Sequence, residues 1–396
     1  MTSLLNQIAT ITALNLRTIP QRGWMSIATV MAVALATLVL LFFLALSNGL
    51  SKTVEGSGAD DIAIVLREGS NAELNSVVSK DQLNILATGP GLRRRDGAPV
   101  VSGELLVIVD GIKRSTGTAA NMPFRGISAD GISLRKGVTI TEGRMFAPGT
   151  NEIVVGAGLL REFAGFEFGK SIRLRGSEWT VVGVFEAPGT VFESELWADI
   201  AVTQSLFDRP NIFQTMRFAL NSAADLATFR EWAKADARLK GLEVLSEREF
   251  YAKQASQSSG IFMIAAWGLG LTMAVGALAG AMNAMYSSVA ARASEIATLR
   301  IIGFSGVAAF VGTLIEALIL SALGGLVGLI LAFVFFHGRT TSTLANSSFT
   351  QLVFKFDLSP SLVASAIVFA LVIGFLGGLF PGVRAARQRP LLELAG

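Results

Sequence analysis

The chain has 396 residues, 51% apolar and 16% charged, with a mean hydropathy of +0.55; soluble domains carry about 25% charge, so a wholly soluble protein is excluded. It has no cysteine and one histidine, His337, which removes disulfides, thiolate metal sites and cysteine nucleophiles and leaves little room for a Ser-His-Asp triad. The formal net charge is only +3.

Residues 1–24 place Leu4, Leu5, Ile8 and Ile11 on one helical face and end near Pro20, which predicts an amphipathic cytoplasmic segment in the membrane interface. The first transmembrane helix is expected at 25–48. Its uncharged run, 25–46, is longer than a signal-peptide core, so it is read as a retained span.

Residues 49–255 are expected to form a large α+β extracytoplasmic domain. Apolar, β-branched runs at 61–66, 104–109 and 151–155 predict strands, and 171–175 with 179–184 predict a hairpin turning at Gly176-Ser177. From Thr215 the pattern becomes strand, helix, strand, helix, with capping signals at Ser222/Asp225 and Ser246/Glu249. Two subdomains follow, a porter-like α+β one beside the membrane and a β-rich one. Arg93-Arg94-Arg95 lies in a Gly/Pro/Asp-rich stretch and reads as a solvated loop. The 164–171 segment, AGFEFGKS, nearly matches a phosphate-binding loop. That motif needs a strand before and a helix after it, and the order here is reversed.

The stretch 254–291 carries no charge over 38 residues, about 57 Å as a helix. It predicts a stalk plus second transmembrane helix at 256–290. A cytoplasmic connection at 291–304 leads to a third span at 305–337, a short periplasmic loop at 338–358, a fourth span at 359–383 and a tail at 384–396. The predicted fold class is thus a membrane α-helical protein with four transmembrane helices in a 1+3 layout. Basic residues set the orientation. Arg17 and Arg22, Arg292 and Arg300, and Arg384, Arg387 and Arg389 fall on one side, which places both termini in the cytoplasm. Residues 49–255 hold 24 Lys+Arg and 26 Asp+Glu, leaving 9 basic and 4 acidic residues elsewhere. The basic balance therefore reflects topology, and no nucleic acid is expected as a partner.

Glu316 is the one acid deep in a span. With no second acid or histidine at depth for a proton relay, it reads as a helix-packing residue hydrogen-bonded to a neighbouring helix, with Asn283 the candidate partner. Three GxxxG pairs, Gly276–Gly280, Gly324–Gly328 and Gly374–Gly378, predict close helix packing or an oligomer interface. No catalytic residue, metal site or cofactor is expected.

The 292–303 segment, RASEIATLRIIG, resembles the R-x-R-E-I-x-x-L-R-A-L-G segment of the MacB/LolC–LolE/FtsX superfamily of ABC transporter permeases. Glu295, Ile296, Leu299, Arg300 and Gly303 match, and Ser294 stands where a basic residue is common. Residues 380–390, FPGVRAARQRP, are similar to the family's closing motif, and NEIVV (151–155), FGKSIRL (168–174) and WTVVGV (179–184) to its outer-domain stretch. The resemblance implies a permease subunit that couples ATP hydrolysis in a separate cytoplasmic ATPase, present in two copies, to movement of a periplasmic domain, for export or extraction of a substrate. It implies a bacterial inner-membrane location and a second permease copy, as homodimer or paralogous heterodimer. A periplasmic adaptor or membrane fusion protein and membrane lipid are further candidate partners. Within the ATPase-coupling segment, Glu295 and Arg300, with Arg292, would supply polar contacts, and Ile296 and Leu299 would fill the ATPase's groove. The alternative within the family is an FtsX-like transmitter that does not transport but activates a periplasmic enzyme.

Overall fold

The computed structural model describes residues 3–344 and 351–388. Helices run in the order α1 (Leu4–Arg17), α2 (Gly23–Glu55), α3 (Lys80–Leu86), α4 (Ala157–Glu162), α5 (Ile200–Leu206), α6 (Asp225–Ala235), α7 (Glu247–Ala291), α8 (Ala293–Ile301), α9 (Gly306–Phe336) and α10 (Pro360–Arg387). The chain divides into two compact units. One comprises Met1–Asn48, Ile261–Arg339 and Phe356–Gly396, the other Gly49–Gly260 and Thr340–Lys355. Arg389, in the closing motif, lies outside the described residues.

In the helical unit, α2, α7, α9 and α10 are each long and apolar enough to cross a membrane, the four spans expected. Two of the GxxxG pairs let backbones touch. A Cβ on Gly324 would lie 2.7 Å from the Val30 carbonyl oxygen, and one on Gly328 2.5 Å from that of Ala34, so α9 lies directly against α2. A Cβ on Gly374 would lie 2.7 Å from the Ser321 side chain and one on Gly378 2.6 Å from the Ala317 Cβ, which seats α10 on α9. Gly276 and Gly280 differ. A Cβ on either would meet no described atom of another element within 4 Å, because α7 packs instead through Ala266, Ala277, Ala281, Met285 and Val289 on another face. Helix α1 begins at Ser3, whose hydroxyl accepts from the Asn6 N–H. Only part of its expected apolar face is used: Ile8 and Ile11 pack inward, whereas Leu4 and Leu5 are exposed.

The other unit is built on an eleven-stranded mixed sheet. Its main path runs Ser171–Leu174, Ser177–Glu186, Glu152–Gly156, Leu196–Asp199, Ala119–Ile127, Val101–Lys113, Thr215–Ala219, Ile62–Arg67, Leu242–Ser246. Val101–Lys113 joins its two halves. Residues 101–104 pair with Thr215–Ala219, and residues 105–112 pair with Ala119–Ile127. The middle of the chain forms one core around Phe124, Trp179 and Leu196. The flanking segments form a second around Phe218, Phe229 and Met216, with α6 packed on it. These are the β-rich and α+β subdomains.

The expected hairpin is present, and its turn falls at Arg175 and Gly176, both at positive φ (46° and 83°). Two residues in that conformation match the twist of the flanking strands. The capping box at Ser246 and Glu249 forms, each side chain accepting the other residue's N–H. AGFEFGKS leaves the two-residue strand Phe163–Ala164, which follows α4, and runs into the strand Ser171–Leu174; the helix a phosphate loop needs after it is absent there. The strand Ala119–Ile127 escapes the sequence pattern because Pro123 interrupts it; Pro123 faces Ile108, and a ladder tolerates proline where no N–H is required. The connection at 338–358 is more than a loop. Thr340–Leu344 pairs with Gln351–Lys355, and the Val353 N–H donates to Ser194 Oγ, so this hairpin belongs to the sheet unit.

Candidate coupling site

α7 ends at Ala291, and the chain turns at Arg292 (φ −112°, ψ 16°) to start α8. Gly303, at φ +102°, ends that segment in a conformation disfavoured for L side chains. Ser305 then caps α9, its hydroxyl accepting from the Ala308 N–H, while its own N–H donates to Gln7 on α1.

Arg292 is buried. Its Nη2 donates to Glu316 Oε2 at 2.7 Å and to Ser288 Oγ at 2.7 Å, and its Nη1 donates to Asn15 Oδ1. Ser288 Oγ also donates to Glu316 at 3.3 Å. One guanidinium thereby ties α1, α7 and α9 at the root of α8. A buried charge is tolerated when it is paired and hydrogen-bonded, and this fork supplies both partners.

These positions change several expectations. Asn283 is exposed on α7, and Glu316 takes Arg292 and Ser288. The reason is depth: Glu316 sits about 15 Å into α9 at 1.5 Å per residue, level with the last turns of α7. Arg292, read as a docking contact, faces inward. Ile296 and Leu299 also turn inward, packing with Ile11, Val289, Ala308 and Ala385, so they do not offer a free apolar ridge. Arg300 Nη1 donates to the Ala386 carbonyl at 2.6 Å, near the end of α10, where a cation suits the helix dipole. The outward face of α8 consists of Ser294, Glu295, Thr298, Ile301 and Ile302, the last two 55% and 67% exposed. Between α1 and α8 lies an open groove of about 320 Å³, lined by Ile11, Leu14, Glu295, Ile296, Leu299 and Phe304. Arg384 lies 5.7 Å from the Tyr286 ring, and Arg387 is exposed.

The first turns of α7 carry a second constellation, in the sheet unit, that the sequence did not signal. Arg125, Arg135 and Arg217 meet Glu73, Glu104, Glu195 and Glu247, all buried. Arg125 forks onto Glu195 at 2.7 and 2.8 Å and also bonds Glu73 and Glu104. Arg135 reaches Glu104 at 2.6 Å. Arg217 donates to Glu104 at 3.1 Å, to Glu73 at 3.2 Å and to Tyr251 Oη at 3.1 Å, and pairs with Glu247. Glu247 and Tyr251 stand in the first two turns of α7. Burial raises the Glu104 carboxyl, but Arg135, Arg217 and Arg125 outweigh it and hold it well below the usual carboxylate range. The members come from positions 73 to 247, so no local spacing could have revealed them.

Two family models match the chain. One, described as a MacB-like periplasmic core domain, covers residues 26–236; the other, FtsX-like permease C-terminal, covers 267–390. An uncharacterised ABC transporter permease of Methanocaldococcus jannaschii is 23% identical over 234 residues, 58% of this chain and 57% of that protein. The macrolide export ATP-binding/permease protein MacB of Nitrobacter winogradskyi is 33% identical over 127 residues, 32% of this chain and 18% of that one. Among solved structures, the periplasmic region of MacB from Actinobacillus actinomycetemcomitans aligns at 10% identity and a TM-score of 0.38, over 50% of this chain and 94% of that one. The extracellular domain of the ABC-type transporter YknZ aligns at 14% and 0.36, over 47% and 99%.

Proposed function

Since this chain belongs to the family of ABC transporter permeases that joins a MacB-like periplasmic core domain to an FtsX-like permease domain, we propose that it is the membrane subunit through which a separate cytoplasmic ATPase moves the α+β domain. The observation that carries this reading is α7 itself. It is one helix of 45 residues, about 68 Å at 1.5 Å per residue. One end is set in the arginine–glutamate network of the sheet unit. The other ends at Arg292, where α8 begins.

In this reading α8 faces the cytoplasm, as the basic residues flanking the spans require, and meets the ATPase through Glu295, Thr298, Ile301 and Ile302. Arg292, Ile296, Leu299 and Arg300 hold α8 against α1, α9 and α10, so a push on α8 passes to the bundle without the helix detaching. Two permease copies engage two ATPase subunits, and the open Gly276–Gly280 face of α7 is the surface assigned to the second copy. The work on the substrate, export or extraction, is done by the moving α+β domain.

Purification of the tagged protein from its native host in mild detergent tests this directly. An ABC ATPase subunit is expected to co-elute, and its absence would sink the reading. Glu295→Lys is expected to cut ATP-coupled activity of the assembly at least about tenfold, since setting like charges against each other across an interface costs several kcal/mol and about 1.4 kcal/mol is tenfold. Glu295 is exposed, so the melting temperature should stay unchanged. Full coupling in that variant would refute the assigned docking face.

A further inference from the structure

The strand Val101–Lys113 has neighbours on both sides only at its ends. On the side opposite Ala119–Ile127, residues 101–104 pair with Thr215–Ala219 and residues 112–113 with Phe163–Ala164. Between them, residues 105–111 have no strand on that side among the described residues. Gln214 marks the direction of the gap: its own N–H donates to the Glu104 carbonyl, and its side-chain oxygen accepts from the Leu106 N–H. Backbone groups alternate with period two along a strand, so the N–H and C=O groups of Ile108 and Asp110 face the same gap.

The gap opens into a cleft of about 630 Å³. Arg173, Arg175 and Arg209 line it and are exposed, and among the described residues none has a carboxylate partner. Arg175 sits on the hairpin turn with its guanidinium 4.9 Å over the Phe207 ring. Leu74 and Phe207 give apolar wall, and one carboxylate, Asp110, lines the same space. The cleft thus combines an unpaired row of backbone donors and acceptors with a net excess of positive charge.

We propose that this cleft binds an extended acidic peptide segment, which completes the sheet as a strand against residues 107–111, pairing with the backbone groups of Ile108 and Asp110 beyond the Leu106 N–H that Gln214 already occupies. Main-chain hydrogen bonds supply affinity and the pockets beside them specificity, as in other strand additions. The strands bounding the gap limit the paired stretch to about four or five residues at roughly 3.3 Å each. The three guanidiniums select acidic over basic side chains. A free anion would satisfy the arginines but leave the backbone row unused; a strand uses both.

The test uses the full-length protein in detergent and three fluorescein-labelled six-residue peptides: alternating glutamate and valine, the same sequence N-methylated at alternate residues to remove the pairing N–H groups, and alternating lysine and valine. The acidic peptide is expected to bind, and the N-methylated twin, of identical charge, about tenfold more weakly or worse, the loss of two or three net hydrogen bonds. The lysine peptide should not bind. The double variant R173E/R209E should weaken the acidic peptide by about tenfold with an unchanged melting temperature. Equal binding of parent and N-methylated peptides, binding of the lysine peptide, or no binding of the acidic one would each overturn the proposal.

Discussion

Arg217→Ala is expected to destabilise the α+β domain by about 3–5 kcal/mol, the range for removing one partner from a buried ion pair. Arg217 is fully buried and serves three carboxylates, Glu73, Glu104 and Glu247, besides the Tyr251 hydroxyl. Its loss leaves four buried glutamates with two arginines. Arg217→Lys should recover little, because a single ammonium cannot reproduce a fork that reaches four groups. Thermal unfolding of the purified protein in detergent reads this, with limited proteolysis to localise it. A melting temperature like that of the unaltered protein would show that the network is not a fastening point. The pH dependence has a definite sign. Glu104 is held below its ordinary range, so its contribution is present above the unfolded-state pKa and is lost only as pH falls through the lower folded-state value. The native domain should therefore keep its stability from about pH 7 to about pH 5. In Arg217→Ala one of the charges depressing Glu104 is gone, so its folded-state value rises and the acid-dependent loss should be smaller and complete at higher pH.

Glu316→Leu is expected to cost a comparable amount, about 3 kcal/mol or more, read as a fall in the folded, detergent-extractable protein. It strands the Arg292 guanidinium among α1, α7 and α9 with only Asn15 and Ser288 as named partners. The double variant Arg292→Met/Glu316→Leu should restore most of the yield, since replacing both members of a buried pair by apolar groups is often neutral. If the single and double variants behave alike, the pair does not hold the root of α8. The recovered double variant is useful in itself. Its bundle is intact but its α8 lacks the clamp, so weakened coupling there separates transmission from stability.

The sequence carried the four spans, the hairpin and the Ser246/Glu249 cap because each rests on local spacing: 20 or more uncharged residues, period-two alternation, a hydroxyl three residues before a carboxylate. Residues 292–303 were legible as a motif, but not the facing of their side chains. Ile296 and Leu299 look like a docking ridge until α1 is seen packed against them. Gly276–Gly280 shares its spacing with the two pairs that do pack, and nothing in the spacing tells which face of α7 meets the bundle. The arginine–glutamate network was invisible for a different reason. Its seven members are separated by up to 174 positions (73 to 247), and only the fold of the sheet brings them together.

In the proposed coupling, nucleotide turnover on a partner ATPase moves α7. Because the chain contains no cysteine, Ser256→Cys places a single spin label on the exposed face of α7, in its first three turns. In a complex of two permeases with the ATPase, electron–electron distance measurement between the two labels reads the separation of the α7 helices. The distance distribution is expected to shift between the nucleotide-free and ATP-trapped states, and Glu295→Lys to abolish the shift. An identical distribution in both states while the complex still hydrolyses ATP would contradict it.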